Sequence, residues 1–144
     1  MVDEVNDSGE DAEKCQKLKG AAGRMIESHA DHPGLLMLRA IAEIKSEKYE
    51  EGLVANDISA AINFALKKYS MDIESCKSIL IKVLNLALNS SETLFEKTLS
   101  QIQKIDTFEN VNMFDEMATS EFVSAENRDY IVLCLVSKNL NERL

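Results

Sequence analysis

The sequence predicts an all-α fold, a compact bundle of about six to seven helices around an apolar central helix at residues 73–89. Three observations lead there. Apolar residues recur at intervals of three and four and rarely alternate, which is the period of a helix face and not of a strand. The chain holds one proline among 144 residues, so little interrupts a helical hydrogen-bond ladder. No Asn-Gly or Asp-Gly pair stands between alternating runs, as a tight β-hairpin would favour.

The first helix is expected over about 9–28, with Ser8 as its cap, Glu10 and Asp11 in its positive first turn, and a stripe of Cys15, Leu18, Ala22, Met25 and Ile26. The run from His29 to Gly34 is the clearest break. Pro33 suits the first position of a helix, where its missing N–H has no helical partner, and His32 or Asp31 can cap it. The second helix carries Leu35, Leu36, Leu38, Ile41, Ala42 and Ile44 and ends near Lys48 or Tyr49. Between Lys48 and Asp57 two readings stand: Gly52 weakens a helix, whereas Tyr49, Leu53 and Val54 continue a helical face. Asp57 is read as the cap of a third helix with Ile58, Ala61, Ile62, Ala65, Leu66 and Tyr69 inward.

Asp72 caps the fourth helix. Ile79, Leu80, Ile81, Val83, Leu84, Leu86, Ala87 and Leu88 cover nearly its whole circumference, so it belongs among other helices. Asn89-Ser90-Ser91 ends it and caps a fifth helix built on Leu94, Phe95, Thr98, Leu99, Ile102 and Ile105. Thr107 is read as the cap of a short sixth helix with Val111, Phe114 and Met117. Ser124 opens the last helix, with Ile131, Cys134, Leu135 and Leu140 inward, and Val132, Leu133 and Val136 widening the buried face. Residues 1–8 form an acidic tail and residues 9–144 a single helical domain. A chain of this length buries roughly two-thirds of its unfolded surface.

Leu36 to Tyr69, with Ala40, the run Lys48-Tyr49-Glu50-Glu51-Gly52-Leu53, and Ala65-Leu66, resembles one tetratricopeptide repeat. It carries about six extra residues in its second half, lacks the terminal proline, and no second copy follows. The plan of an apolar helix wrapped by amphipathic ones also resembles Bcl-2-type proteins in arrangement. The Asn-Trp-Gly-Arg motif of that family is absent, so no binding residue is carried over from it.

Composition excludes several classes. The net charge of −9 argues against general phosphate-backbone binding. Three widely spaced cysteines do not make a disulfide scaffold. They point to free thiols in a reducing compartment, and the chain start has neither the basic residues nor the apolar run of a secretory signal. A cytoplasmic location, or a cytoplasmic and nuclear one, is expected. The longest apolar stretch, Ile79 to Leu88, is interrupted by Lys82 and Asn85 and is too short to span a bilayer.

The acidity is concentrated. Residues 1–13 hold six acids and no base, and residues 106–129 hold seven acids against Arg128, whereas residues 14–105 are slightly basic. Asp106, Glu109, Asp115 and Glu116, with Met113 and Met117, are therefore the candidate partner surface, an acidic face with adaptable apolar contacts. Met25, Met37 and Met71 are further candidates for such contacts. Lys14, Lys17, Lys19 and Arg24, and Lys67, Lys68, Lys77 and Lys82, form small basic clusters that read as solvated faces, so nucleic acid is not expected as a partner.

Chemistry is scarce. His29 and His32 are the only histidines, and with Asp31 they would form at most half of a metal site completed by another chain. No HExxH, CxxC or phosphate-loop motif is present. Cys15, Cys76 and Cys134 fall on apolar stripes, where a thiol is inert. Asp115 and Glu116, adjacent in sequence, diverge on a helix and do not form an acid/base pair. The reading is a non-catalytic protein-protein interaction module, an adaptor-like bundle without cofactor or metal. Its partner is another protein, met through a helix–helix groove or through a basic surface docking on the acidic face, with self-association as a further mode and no membrane. The alternative is a regulatory or accessory domain of a larger catalytic assembly, including a nucleic-acid-processing one. A third reading is a small enzyme or metal protein using His29 and His32.

Overall fold

The computed structural model of the chain describes residues 32–46 and 49–143, the last five of these by their backbone, together with residues 17, 20, 21 and 24. Of the expected first helix, Lys17, Gly20, Ala21 and Arg24 are helical. The acidic tail at 1–8, Ser8 and the stripe of Cys15, Leu18, Ala22, Met25 and Ile26 lie outside the described residues, as do His29 and Asp31.

From Pro33 onward the elements are α1 (Pro33–Lys45), α2 (Glu51–Lys67), α3 (Ile73–Ser90), α4 (Glu92–Gln103), a 3-10 turn (Asp106–Phe108), α5 (Met113–Ala118) and α6 (Ala125–Arg143). No strand occurs among the described residues. The chain is thus an all-α bundle, as the apolar spacing predicts.

Local chemistry starts each helix. His32 caps α1: its Nδ1 accepts the Leu35 N–H at 3.2 Å, and Pro33 takes the first helical position. Gly34 leaves room for that ring, since a Cβ there would stand 3.0 Å from His32 Cε1 and 3.3 Å from Nδ1. The Asp72 carboxylate caps α3 by accepting the Ser75 N–H at 2.9 Å and the Ser75 hydroxyl at 2.8 Å. Ser91 caps α4 through the Leu94 N–H. Ser124 opens α6, its hydroxyl oxygen accepting from the Asn127 N–H.

Two expected caps fall elsewhere. Asp57 lies inside α2, which begins six residues earlier at Glu51. The apolar run of Leu53 and Val54 continues the helix through Gly52, and the Asp57 carboxylate is taken by Arg39 of α1. Thr107 lies in the 3-10 turn, and Asn112 caps α5 by accepting the Asp115 N–H at 3.3 Å.

α1 and α2 form the helical hairpin at which the sequence resembles a tetratricopeptide repeat. Arg39 and Asp57 stand equally far from residue 48 in the connection, so the two helices run antiparallel. α3 packs against α1, α2, α4, α5 and α6 and is the central helix expected at 73–89. One edge of it stays open, because Ile79 and Lys82 are exposed. α1 is the helix buried on every side: Leu35 to Leu38 and Ala40 to Ile44 are all buried.

The core joins Leu38, Ile58, Leu80, Leu84, Leu94 and Ile102 to Phe108, Met113, Met117 and Ile131. Phe95 of α4 meets Phe114 of α5 and Tyr130 of α6 edge-on, at 6.0 and 6.2 Å between ring centres. Thr98 is fully buried because its hydroxyl bonds back to the Leu94 carbonyl at 2.8 Å. Asn127 fastens α6 to α3: its amide donates to Asn85 Oδ1 and Asn89 Oδ1, both at 2.8 Å.

α6 differs from the expectation of a broadly buried last helix. Ile131 is buried, but Val132, Leu133 and Val136 are 43%, 66% and 49% exposed. These three lie around the helix from Asn127 and Ile131, the side that packs on the bundle. Tyr69, expected inward, follows the end of α2 and is exposed.

Candidate functional site

An open apolar groove of about 680 Å³ lies between α1, α2 and α3. α1 supplies Pro33, Gly34, Met37 and Ile41, α2 supplies Ala61, Ile62 and Ala65, and α3 supplies Ile79, Val83 and Leu86. Two residues outside these helices close its rim, Met71 and Phe122. Met71, Ile79 and Phe122 are 37%, 38% and 43% exposed, a set of large apolar side chains facing water around one concavity.

The rim residues are held by specific local structure. α2 ends with Ser70 in the left-handed region at φ 53°, and the Met71 N–H bonds to the Ala65 carbonyl at 2.9 Å. That reversal places Met71 beside Ala65 at the groove. Phe122 sits on the loop between α5 and α6, which Arg128 clamps by donating to the carbonyls of Ser120 at 2.6 Å and Val123 at 3.1 Å. Asn85 Oδ1 accepts the Ser124 N–H at 3.1 Å and fixes the far end of the loop to α3.

Lys82 and Asn85 are the polar residues of the lining. The Lys82 ammonium stands 4.4 Å from the centre of the Phe122 ring, a cation–π contact that anchors the aromatic rim. No carboxylate among the described residues pairs with Lys82. The groove therefore combines an apolar floor with one cation at its edge.

The acidic face is only partly as expected. Asp106, Glu109 and Asp115 are exposed, and Asp115 and Glu116 fall in the first turn of α5. Glu116 accepts from Lys77 of α3 at 3.1 Å and serves to tie α5 to α3. This contact, and a second one to Glu74, hold the Lys77 ammonium above its ordinary pKa. Met113 and Met117 do not belong to the surface. They are 1% and 0% exposed and fill the core beneath α5, because the inner side of this short helix is its apolar side. Of the other methionines singled out, Met37 and Met71 line the groove, and Met25 lies outside the described residues.

His32 spends its Nδ1 on the α1 cap, and its ring lies 6.5 Å from that of Tyr69. Among the described residues no group of three or more His, Cys, Asp or Glu side chains could hold a metal ion. Cys76 is fully buried, and burial pushes its thiol above the ordinary pKa, with Asp72 adding to the effect. Tyr130 is raised to about 12 by burial and by its hydrogen bond to Cys134. A phenol that holds its proton this firmly is a poor acid or base near neutrality. Among the described residues no helix is long and apolar enough to cross a membrane.

The sequence singled out Met37 and Met71 but not their partners at the rim. Phe122 fits no helical stripe, and an apolar ring in the loop between Glu121 and Val123 was the signal available. By sequence Ile79 belongs to the covered circumference of the central helix, whereas in the structure it is 38% exposed at the groove. No protein-family model, no curated protein and no solved structure matches the chain.

Proposed function

We propose that the chain is a non-catalytic helical interaction module whose α1–α2–α3 groove receives an amphipathic helix of a partner protein. The observation that supports this is the exposed set of Met71, Ile79 and Phe122 around an apolar floor, beside the unpaired Lys82. A guest helix would bury apolar residues at i, i+3 or i+4, and i+7 in the groove. An acidic residue flanking that stripe would meet Lys82. Met37 and Met71 adapt to varied apolar shapes. Buried Cys76 and the free thiol of Cys134 suit a reducing, cytoplasmic setting.

A peptide library of amphipathic helices with an acidic flank provides the test, read by chemical-shift changes at the groove methyls. Binding peptides are expected to perturb Met37, Met71 and Ile79 and to lose affinity about tenfold or more on Ile79→Glu, with Lys82→Glu selecting basic flanks instead. Peptides that map to another face, or that bind Ile79→Glu equally well, would overturn the reading.

A second reading draws on Asp106, Glu109 and Asp115, exposed carboxylates without an ion pair among the described residues. On it the chain is a regulatory or accessory domain that offers this face to a basic surface of a larger assembly. Charge reversal at Asp106, Glu109 and Asp115 would abolish such docking and leave helix binding in the groove intact.

A further inference from the structure

The α3 edge of the groove carries two hydrogen-bond donors. Lys82 and Asn85 both line the groove and stand three residues apart, on adjacent turns of one helix face. Asn85 is oriented from behind. Its Oδ1 accepts the Ser124 N–H at 3.1 Å and the Asn127 amide at 2.8 Å. With two donors on that oxygen, the other end of the carboxamide is fixed as the NH2 group. Among the described residues no acceptor takes its N–H bonds. The Lys82 side chain is exposed, stands over the Phe122 ring and pairs with no carboxylate among the described residues.

An ionised carboxylate offers two acceptor oxygens and a single negative charge. Lys82 supplies one positive charge and Asn85 a neutral donor beside it, which matches such a monoanion. Ile79, Val83 and Leu86 of the same helix line the groove next to this pair and suit an apolar body attached to the acid. We propose that Lys82 and Asn85 together form a carboxylate subsite, which holds a glutamate or aspartate side chain of the guest helix. The proposal rests on the guest-helix reading and adds Asn85 to it as a specificity-determining residue. The loop before α6 and α6 itself hold that carboxamide in place, through Ser124 and Asn127, so the donor is set before the guest arrives.

Asn85→Asp in the full chain tests it. An aspartate keeps an oxygen for Ser124 and Asn127 and changes only the groove-side donor, which becomes an acceptor of the same charge as the guest acid. Helical circular dichroism should be unchanged. A groove-binding peptide with an acidic flank should lose about tenfold or more in affinity. The same peptide with glutamine in place of the acid should change less than about threefold. Lys82→Gln should likewise erase the preference for the acid. A second arm needs no helix: phenylbutyrate at millimolar concentration should shift the Asn85 side-chain amide and the Phe122 ring signals, and phenylbutyramide should not. Failure of every peptide to reach the groove sinks the guest-helix reading, and the small acid then decides the subsite by itself. Equal shifts from the acid and the amide overturn the proposal. So does a preference for the acidic peptide that survives both Asn85→Asp and Lys82→Gln.

Discussion

Asp57 of α2 receives the guanidinium of Arg39 of α1 in a two-pronged contact, Nε to Oδ2 and Nη2 to Oδ1, each at 2.7 Å. Asp57 is 4% exposed, so the pair locks the register of the hairpin from inside. The hydrogen bonds to Asp57 hold the guanidinium above its already high ordinary pKa. Asp57→Ala leaves the half-buried cation without its partner. Removing one partner of a buried pair costs about 3–5 kcal/mol, and the partial exposure of Arg39 brings the expected loss to about 2–3 kcal/mol. The double variant Arg39→Met/Asp57→Leu should lose less than either single change, because no charge is left unpaired. Urea midpoints of the four proteins check this.

The α1 cap couples His32 to Gly34. Glycine inside a helix normally costs up to about 1 kcal/mol against alanine. Here a Cβ at position 34 presses on the His32 ring at 3.0 Å. Gly34→Ala is therefore expected to give no net gain in the wild-type chain, since it displaces a cap worth about 0.5–1 kcal/mol. In a His32→Ala background the same change should stabilise. Thermal melts of the cycle read the difference directly.

Ser70 holds a left-handed backbone, φ 53°, to turn the chain toward Met71. A side chain in that region costs about 1 kcal/mol that glycine avoids. Ser70→Gly should raise stability by about 0.5–1 kcal/mol without moving Met71, so peptide affinity for the groove should be unchanged.

Asp72 supplies the acid dependence of α3. The Ser75 N–H, and then the Ser75 hydroxyl, hold its carboxyl below the ordinary aspartate value. A group whose folded-state pKa is lowered stabilises the fold above its unfolded value, about 3.9. That contribution is lost as pH falls through the lower folded value. Asp72→Asn keeps a capping side chain but removes the titration. The two proteins should match near neutrality, and the wild type should lose stability relative to the variant below about pH 3.9. Urea midpoints across the acid range give the comparison.

Met113 and Met117 belong to the core, and their substitution should show it. Met117→Ala is expected to cost about 2–5 kcal/mol through the cavity it leaves. Partner or peptide affinity, measured where the variant is still folded, should not change.

Much of the fold was legible along the chain because helices are written locally. The three-and-four spacing, Pro33, Asp72, Ser91 and Ser124 mark elements through contacts within a few residues, and α1, α3, α4 and α6 begin where those signals stand. Asp57 and Thr107 misled because a short polar residue before an apolar run reads as a cap. Whether it is one depends on the longer-range competition, which Arg39 won at Asp57 and Asn112 replaced at Thr107.

The groove shows the same division. Hydrophobic periodicity shows which apolar side chains lie together on a helix, and it groups Ile79 and Leu86 on one element, while methionine's adaptability singles out Met37. It does not say which stripes find a neighbour. Met71 and Phe122 reach the rim through a left-handed turn and an arginine-clamped loop, and Val132, Leu133 and Val136 face water because they lie around α6 from the side of Asn127 and Ile131 that packs on the bundle. Burial is a property of how helices of given length and crossing meet. An apolar residue on a helical stripe is core at Met117 and surface at Ile79, and the packing of α3 and α5 against their neighbours makes the difference.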